Sequence, residues 1–405
     1  MRILFVSSRF PYPPLQGDRV RAYHQLRVLS RRHRITLVTP AGRQDASLDA
    51  VRPFCERVEA VTVPAWRRAL NLAKAPASRL PWQTVYWFTS ALARAVRRVA
   101  AQDRFDLAHV QLVRMAPAGL CLNGTPKVLD MIDALSLNFA RRAKREAGLR
   151  ALALAREAKR LRDYERHLLG LFERILISSD VDGKFIGGGE RIHVIANGVD
   201  IESFPFHAAE RDPDTVIFTG RMGYFPNADG AIWFATQVFP KIRCALPRAR
   251  FAIVGADPPA RVRALACIPG VEVTGYVPGL SQALRRASVA VAPLLAGSGI
   301  QNKVLEAMAS GTPVVATPYS LGGLKAQHEK HLLLASTAAG FAAAVTRLMR
   351  DRALGAELAR NAREMVESRY TWEHSVAALQ AVYDLAVEQR RRAGSPLLAA
   401  SGRVA

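Results

Sequence analysis

Short runs of β-branched and aliphatic residues alternate along this chain with longer stretches of helical periodicity. The runs predict strands at residues 2–7, 35–39, 60–63, 107–111, 128–132, 175–178 and 193–196. A second series follows at 216–219, 251–254, 271–274, 289–292, 314–316 and 332–334. These runs are continuously hydrophobic, as parallel strands buried on both faces require. Helical patterns fill the intervals at 21–30, 90–101, 140–172, 228–245, 303–310 and 340–350. Repeated strand–helix order predicts an α/β fold of doubly wound parallel sheets.

Two sheets fit that order better than one. The first series closes at Asn197-Gly198-Val199-Asp200, and a polar, turn-rich stretch then leads through Phe204-Pro205 to Asp212-Pro213. The chain therefore reads as an N-terminal Rossmann-like domain over 1–207 and a C-terminal one over 208–370. A helix over 371–392 lies beyond the last strand, where it could pack back on the N-terminal domain. Small and polar residues predict a disordered tail over 393–405.

Composition narrows the class. The 405 residues suffice for two or three buried cores. Half are hydrophobic and 22% charged, which excludes a disordered or collagen-like chain. There is no uncharged apolar run long enough to span a bilayer, and the apolar stretch near Met1 is too short to read as a secretory signal. Cys55, Cys121, Cys244 and Cys267 are scattered, with no CxxC pair to suggest a disulfide framework or zinc knuckle. The expectation is a cytoplasmic protein.

The charge is strongly positive: 57 Lys and Arg against 34 Asp and Glu, a net of +23. Residues 1–210 hold 34 basic and 20 acidic side chains, so +14 falls in this half and +9 in the remainder. Basic surfaces attract nucleic acids, anionic membranes and phosphorylated substrates alike, so charge alone names no partner. The stretch 141–166, with ten basic and four acidic residues, reads either as a membrane-facing stripe or as a solvated helix face. Trp82-Gln83-Thr84-Val85-Tyr86-Trp87-Phe88 is an aromatic cluster that suits either core packing or a lipid-linked acceptor.

Ligands of open parallel sheets bind beyond the carboxyl ends of strands, and four such places carry candidate chemistry. The first loop, Ser7 to Asp18, brings Gly17 and Asp18 to a helix start, where backbone N–H groups can meet a phosphate. It lacks GxGxxG, which weighs against an ordinary dinucleotide-binding oxidoreductase. The second loop places Gly220 and Arg221 after the strand at 216–219, suited to a bidentate phosphate clamp. The third runs Gly297-Ser298-Gly299-Ile300-Gln301-Asn302-Lys303 into a helix whose N-terminus offers free N–H groups and a positive dipole end. There Lys303 and Glu306, three apart, share a face. Lys303 suits a phosphate and Glu306 suits sugar hydroxyls. The fourth is His109 at a strand end, readable as a sugar contact or as a satisfied core histidine.

Together these residues resemble the retaining, nucleotide-sugar-dependent glycosyltransferases of family four, from Arg2 to about Tyr383. Arg9-Phe10-Pro11-Tyr12-Pro13-Pro14, Gln16-Gly17-Asp18-Arg19-Val20-Arg21 and 299–309 are similar to a narrower subgroup, the sugar transferases associated with exosortase exopolysaccharide loci. The resemblance implies the GT-B fold, two Rossmann-like doubly wound domains facing a central cleft. It also implies transfer with retention from a UDP- or GDP-type nucleotide-sugar donor to a glycan or lipid-linked acceptor hydroxyl.

Carried over by residue, Glu306 matches the second acid of the family's E-x7-E motif and implies a ribose contact. The first acid falls at Ser298, which is not acidic. Arg221 matches the phosphate-binding arginine, while the lysine usual six residues later falls at Asn227, and Lys303 is expected to compensate. His109 aligns with the strand-end histidine near the donor sugar, Gly17 with the N-terminal glycine loop, and Val277 of Gly275-Tyr276-Val277 with the nucleobase-facing loop. The expected catalytic set is His109, Arg221 and Lys303. The expected substrate-binding set is Gly17, Asp18, Gly220, Val277, Ser298, Gly299, Ile300, Gln301, Asn302 and Glu306.

No DxD-like acidic pair sits in these loops, so no essential metal and no cofactor are expected. Ser298 and Asn227 keep a non-catalytic nucleotide-binding homologue open. The charge keeps open an anionic-surface or nucleic-acid binder, although no nucleic-acid motif supports specific binding. A nucleotide-sugar epimerase is a smaller alternative. Peripheral contact with an anionic inner membrane is the reading of the basic N-terminal half.

Overall fold

The computed structural model describes residues 1–41, 48–73, 75, 78, 80–206, 211–296 and 299–394. Its first sheet comprises β1 (Arg2–Val6), β2 (Arg34–Ala41), β3 (Arg57–Thr62), β4 (Leu107–Gln111), β5 (Lys127–Ile132), β6 (Arg174–Ile177) and β7 (Ile192–Val194). The second comprises β8 (Asp212–Thr219), β9 (Arg250–Val254), β10 (Val271–Gly275), β11 (Ala287–Ala292), β12 (Val314–Ala316) and β13 (Leu333–Leu334). The strand orders are β3-β2-β1-β4-β5-β6-β7 and β10-β9-β8-β11-β12-β13. Each recorded strand pairing is parallel. In both sheets the order reverses beside the first strand, at β1/β4 and at β8/β11. Such a reversal opens a crevice at the strands' carboxyl ends.

Strand periodicity explains the continuous hydrophobic runs. In β1, Ile3 and Phe5 join one core while Leu4 and Val6 join another on the opposite face. In β4, Leu107 belongs with Ile3 and Phe5, whereas Ala108 and Val110 face the other way. The central strands must therefore be apolar at nearly every position.

The chain forms two compact units, Met1–Ala196 with the chain from Val376 onward, and Asn197–Ser375. The sequence places the division at 207/208; the structure places it at Ala196/Asn197. Backbone stitching accounts for the difference. Val199 N donates to Tyr370 O at 2.8 Å, and Val199 forms a parallel bridge with Thr371. A Cβ on Gly198 would lie 2.5 Å from Trp372 N, so only glycine allows that approach. The final helix runs Trp372–Gly394, and its Val376, Leu379, Val382, Tyr383 and Ala386 share the core of Ile3 and Phe5. From residue 395 the expected tail lies outside the described residues.

Two helices depart from their expected forms. The single helix expected over 140–172 is two, Leu135–Ala143 and Gly148–Leu168, and Gly148 at their junction takes φ +60°. The helix expected over 228–245 runs Phe225–Trp233 and Phe239–Ala245 with a π-helical segment, Phe234–Val238, between. Pro240 supplies no N–H to the helical ladder there, so the register widens ahead of it.

Candidate functional site

The crevice of the second sheet gathers several of the expected residues. Gly220 follows β8 with φ +146°, and a Cβ there would lie 2.9 Å from Asn227 Nδ2 and 3.1 Å from Lys303 Cε. Gly255, after β9, approaches so closely that its Cβ would sit 1.8 Å from Gly220 O. Two glycines thus allow three segments to converge. Asn227, where a family lysine was expected, is buried and donates from Nδ2 to Arg221 O at 2.9 Å, which fixes the loop.

Arg221 is held by one edge only. Its Nε donates to Asp257 Oδ2 at 2.7 Å, and its terminal guanidinium nitrogens make no hydrogen bond among the described residues. The side chain is 45% exposed, leaving that fork open for a bidentate anion. Asp257 itself takes φ +56°, a left-handed conformation uncommon for a residue with a side chain.

The third loop supplies the helix Asn302–Ala309, preceded by Gln301 with no side-chain cap. Lys303 Nζ donates to Gln301 Oε1 at 3.0 Å, Gln301 Nε2 donates to Gly299 O at 3.2 Å, and Asn302 Oδ1 accepts from Asn197 Nδ2 at 3.0 Å. Gly299 takes φ +67°, and Ile300 is buried beneath the loop. Burial lowers Lys303 to about 8, against the opposing pull of Glu306. Burial likewise raises Glu306 to about 7, with Lys303 pulling it down. The Glu306 carboxylate has no hydrogen-bond partner among the described residues. Val277 is half-buried in the loop after β10. Ser298 lies outside the described residues.

His109 was readable as a sugar contact or as a satisfied core histidine, and its ring is fully buried in the first unit. The period of two puts His109 on the same face as Leu107, and there it stacks on Phe5 at 4.3 Å between ring centroids. Its Nδ1 lies 2.8 Å from Tyr383 Oη, and its Nε2 lies 3.8 Å from Asp130. Burial lowers His109 to about 4, with Asp130 opposing and Arg21 reinforcing that shift. The ring is thus enclosed among Phe5, Tyr383 and Asp130, as the core-histidine reading expects. Arg21 completes the cluster, donating from Nε to Asp130 at 2.7 Å and from Nη1 to Ile195 O at 3.0 Å.

Gly17 and Asp18 open the helix Gly17–Leu29 after β1. Gly17 is exposed, and a Cβ there would meet nothing within 4 Å. Asp18 is engaged by the protein: Arg114 donates to it at 3.2 Å and Arg9 lies 3.5 Å away. Sequence reading did not single out Asp257, Gly255, Arg68 or Arg114. The sequence signal for Gly255 and Asp257 was their position in the loop immediately after a predicted strand.

Residues 213–351 match the family model described as glycosyl transferases group 1. A phosphatidyl-myo-inositol mannosyltransferase of Mycolicibacterium smegmatis is 31% identical over 204 residues, covering 47% of this chain and 51% of that protein. The chain thus spans about half the length of the curated relatives it matches. Among solved structures, a sucrose-phosphate synthase from Thermosynechococcus elongatus superposes with TM-score 0.73 at 18% identity, covering 95% of this chain and 98% of the other. The Anabaena protein HepE, solved with UDP-glucose, gives TM-score 0.65 at 16% identity, covering 95% and 98%. The fold is therefore the GT-B class of two Rossmann-like parallel-sheet domains.

Proposed function

We propose that this protein is a nucleotide-sugar-dependent glycosyltransferase that moves a sugar from a nucleoside-diphosphate donor to a glycan or lipid-linked hydroxyl. One observation carries the reading: Lys303 packs against Gly220, the neighbour of Arg221, beside β8 and β11 at the reversal point of the second sheet. Support comes from the family match over 213–351 and from the fold shared with HepE, a protein solved with UDP-glucose.

The chemistry follows from charge. As the glycosidic bond breaks, negative charge accumulates on the departing diphosphate. The open fork of Arg221, the Lys303 ammonium and the N-terminus of Asn302–Ala309 stabilise that charge without reorganising. Glu306 accepts from the ribose hydroxyls, Val277 borders the base, and Gly299, Ile300, Gln301 and Asn302 form the loop beneath the diphosphate. Cations rather than paired acids serve the leaving group, so the reading includes metal-independent transfer.

Retention of anomeric configuration belongs to the same reading. His109 is enclosed and supplies no nucleophile, which favours front-face attack, the leaving phosphate receiving the acceptor's proton. The proposed setting is exopolysaccharide or cell-surface glycan synthesis, with cytoplasmic location and contact with the anionic inner membrane. Donor hydrolysis or transfer by purified protein, with and without chelator, tests this. Turnover that persists with chelator and falls in Arg221→Ala and Lys303→Ala is expected. Undiminished turnover in both variants would remove the assigned roles.

A further inference from the structure

We propose that Arg9, Arg68 and Arg114, gathered around Trp87 at the carboxyl ends of β1 and β4, form a subsite for a phosphate group carried by the acceptor. The proposal rests on the glycosyltransferase reading for the word acceptor, but the site itself is defined by the first unit alone.

The three guanidinium carbons lie 5.0, 4.8 and 4.5 Å from the Trp87 ring centroid, for Arg9, Arg68 and Arg114 respectively. They come from three separate segments: the loop after β1, the helix Ala65–Ala73, and the turn Val113–Met115 after β4. The indole face attracts cations, but it does not remove the repulsion among three of them. Among the described residues, Asp18 is the single carboxylate in direct contact, pairing with Arg9 at 3.5 Å and Arg114 at 3.2 Å. Asp133 acts on Arg114 from farther away. Three cations against two acids leave positive charge uncompensated.

The hydrogen bonding points the same way. Arg114 is nearly buried and spends Nη2 on Ser8 Oγ at 3.0 Å and on Asp18, while its buried Nε has no partner among the described residues. Arg68 has neither a hydrogen bond nor an ion pair among the described residues, and its Nε is also buried and unsatisfied. These unpaired donors add hydrogen-bonding capacity to a cluster that already carries excess positive charge. A phosphate answers each requirement: two or more negative charges, and acceptor oxygens matching the planar guanidinium fork. The location is the reversal point of the first sheet, where open α/β sheets take ligands.

A lipid-linked diphosphate and a soluble phosphorylated sugar share this chemistry, and the probes separate them. Inorganic pyrophosphate and geranyl diphosphate are titrated calorimetrically into the full chain and into four variants: Arg9→Gln, Arg68→Gln, Arg221→Ala and Lys303→Ala. No nucleotide sugar is present, so the outcome stands whatever becomes of the donor reading. The expected result is a component of binding that survives Arg221→Ala and Lys303→Ala and weakens at least tenfold in Arg9→Gln and Arg68→Gln. Tighter binding of geranyl diphosphate assigns the site to a lipid-linked acceptor, and equal binding to a soluble one. Arg68 is half-buried on a surface helix, so its variant leaves the core intact; an unchanged melting temperature checks this. Binding unaffected by both N-terminal variants, or abolished by Lys303→Ala or Arg221→Ala alone, would overturn the proposal.

Discussion

The phenol oxygen of Tyr383 lies 2.8 Å from Nδ1 of His109, so a side chain on the last helix completes the enclosure of a histidine on β4. The contact makes His109 part of the first unit's core. It also ties the chain's final helix to the chemistry of β1, β4 and β5.

Tyr383→Phe should therefore lower stability without changing donor affinity. Removing the hydroxyl leaves a buried ring nitrogen unpaired, at a cost of about 1–3 kcal/mol. Urea unfolding measures the loss, and an unchanged donor KM distinguishes a core residue from a substrate contact. Acid adds a second check. His109 is held near 4, below its ordinary 6.5, so unfolding takes up a proton between these values. Its contribution is present above about pH 6.5 and fades as pH falls toward 4, at up to about 1.4 kcal/mol per pH unit. His109→Phe should lose that component of the slope.

Gly220 tests the donor crevice. At φ +146°, with Asn227 and Lys303 against its Cβ position, Gly220→Ala should weaken nucleotide-sugar binding at least tenfold. The accompanying loss of stability should be about 1 kcal/mol or more, because the backbone conformation is strained for alanine. Gly255→Ala, whose Cβ would strike Gly220 O, should unfold the second unit at lower denaturant than Gly220→Ala. Calorimetry and denaturant titration separate the two effects.

Lys303 and Glu306 set a pH window. Lys303, lowered to about 8, loses its charge as pH rises through that value, and with it the attraction for a diphosphate. Glu306, raised to about 7, becomes a full hydrogen-bond acceptor only above that value. The kcat/KM for donor should be bell-shaped, with its maximum between about 7 and about 8. Glu306→Gln should flatten the acid limb and Lys303→Arg the alkaline limb. A profile unchanged in both variants would detach these residues from donor binding.

The helix Ala65–Ala73 exposes Trp66 and Leu70, an i,i+4 pair, beside Arg67. Leu149 and Leu152 stand 87% and 68% exposed near Arg150. No helix among the described residues is long and apolar enough to cross a membrane. Apolar side chains interleaved with cations suit the surface of an anionic bilayer. Sedimentation with anionic vesicles should exceed that with neutral ones, and Trp66→Ser with Leu70→Ser should reduce it several-fold.

Much of this was legible because parallel sheets impose a simple demand. Ile3, Leu4, Phe5 and Val6 must all be apolar when alternate residues serve two cores, and the sequence says so directly. Arg221 could be placed from the sequence because it lies just beyond β8, and Lys303 and Glu306 because they share a face of the helix that follows the β11 loop. The sequence left His109 open between a sugar contact and a core histidine, because both faces of β4 are buried and parity with Leu107 does not decide between them. Other features depend on distance in space. Arg9, Arg68, Trp87 and Arg114 come from four segments, and Asp257 finds Arg221 only once β8 and β9 pair. The break at Gly148 was hidden because charged and apolar residues keep helical spacing across it.

The central claim is that the second unit binds a nucleotide sugar through Arg221 and Lys303. A thermal-shift screen across UDP-, GDP-, ADP- and dTDP-sugars tests it most directly, because a ligand of the native state raises apparent stability by about 2.7 kcal/mol at a hundredfold excess over Kd. At least one nucleotide sugar should raise Tm by several degrees in the unaltered protein, and Lys303→Ala and Arg221→Ala should each diminish that shift. No shift with any donor, or an equal shift in both variants, would contradict the account.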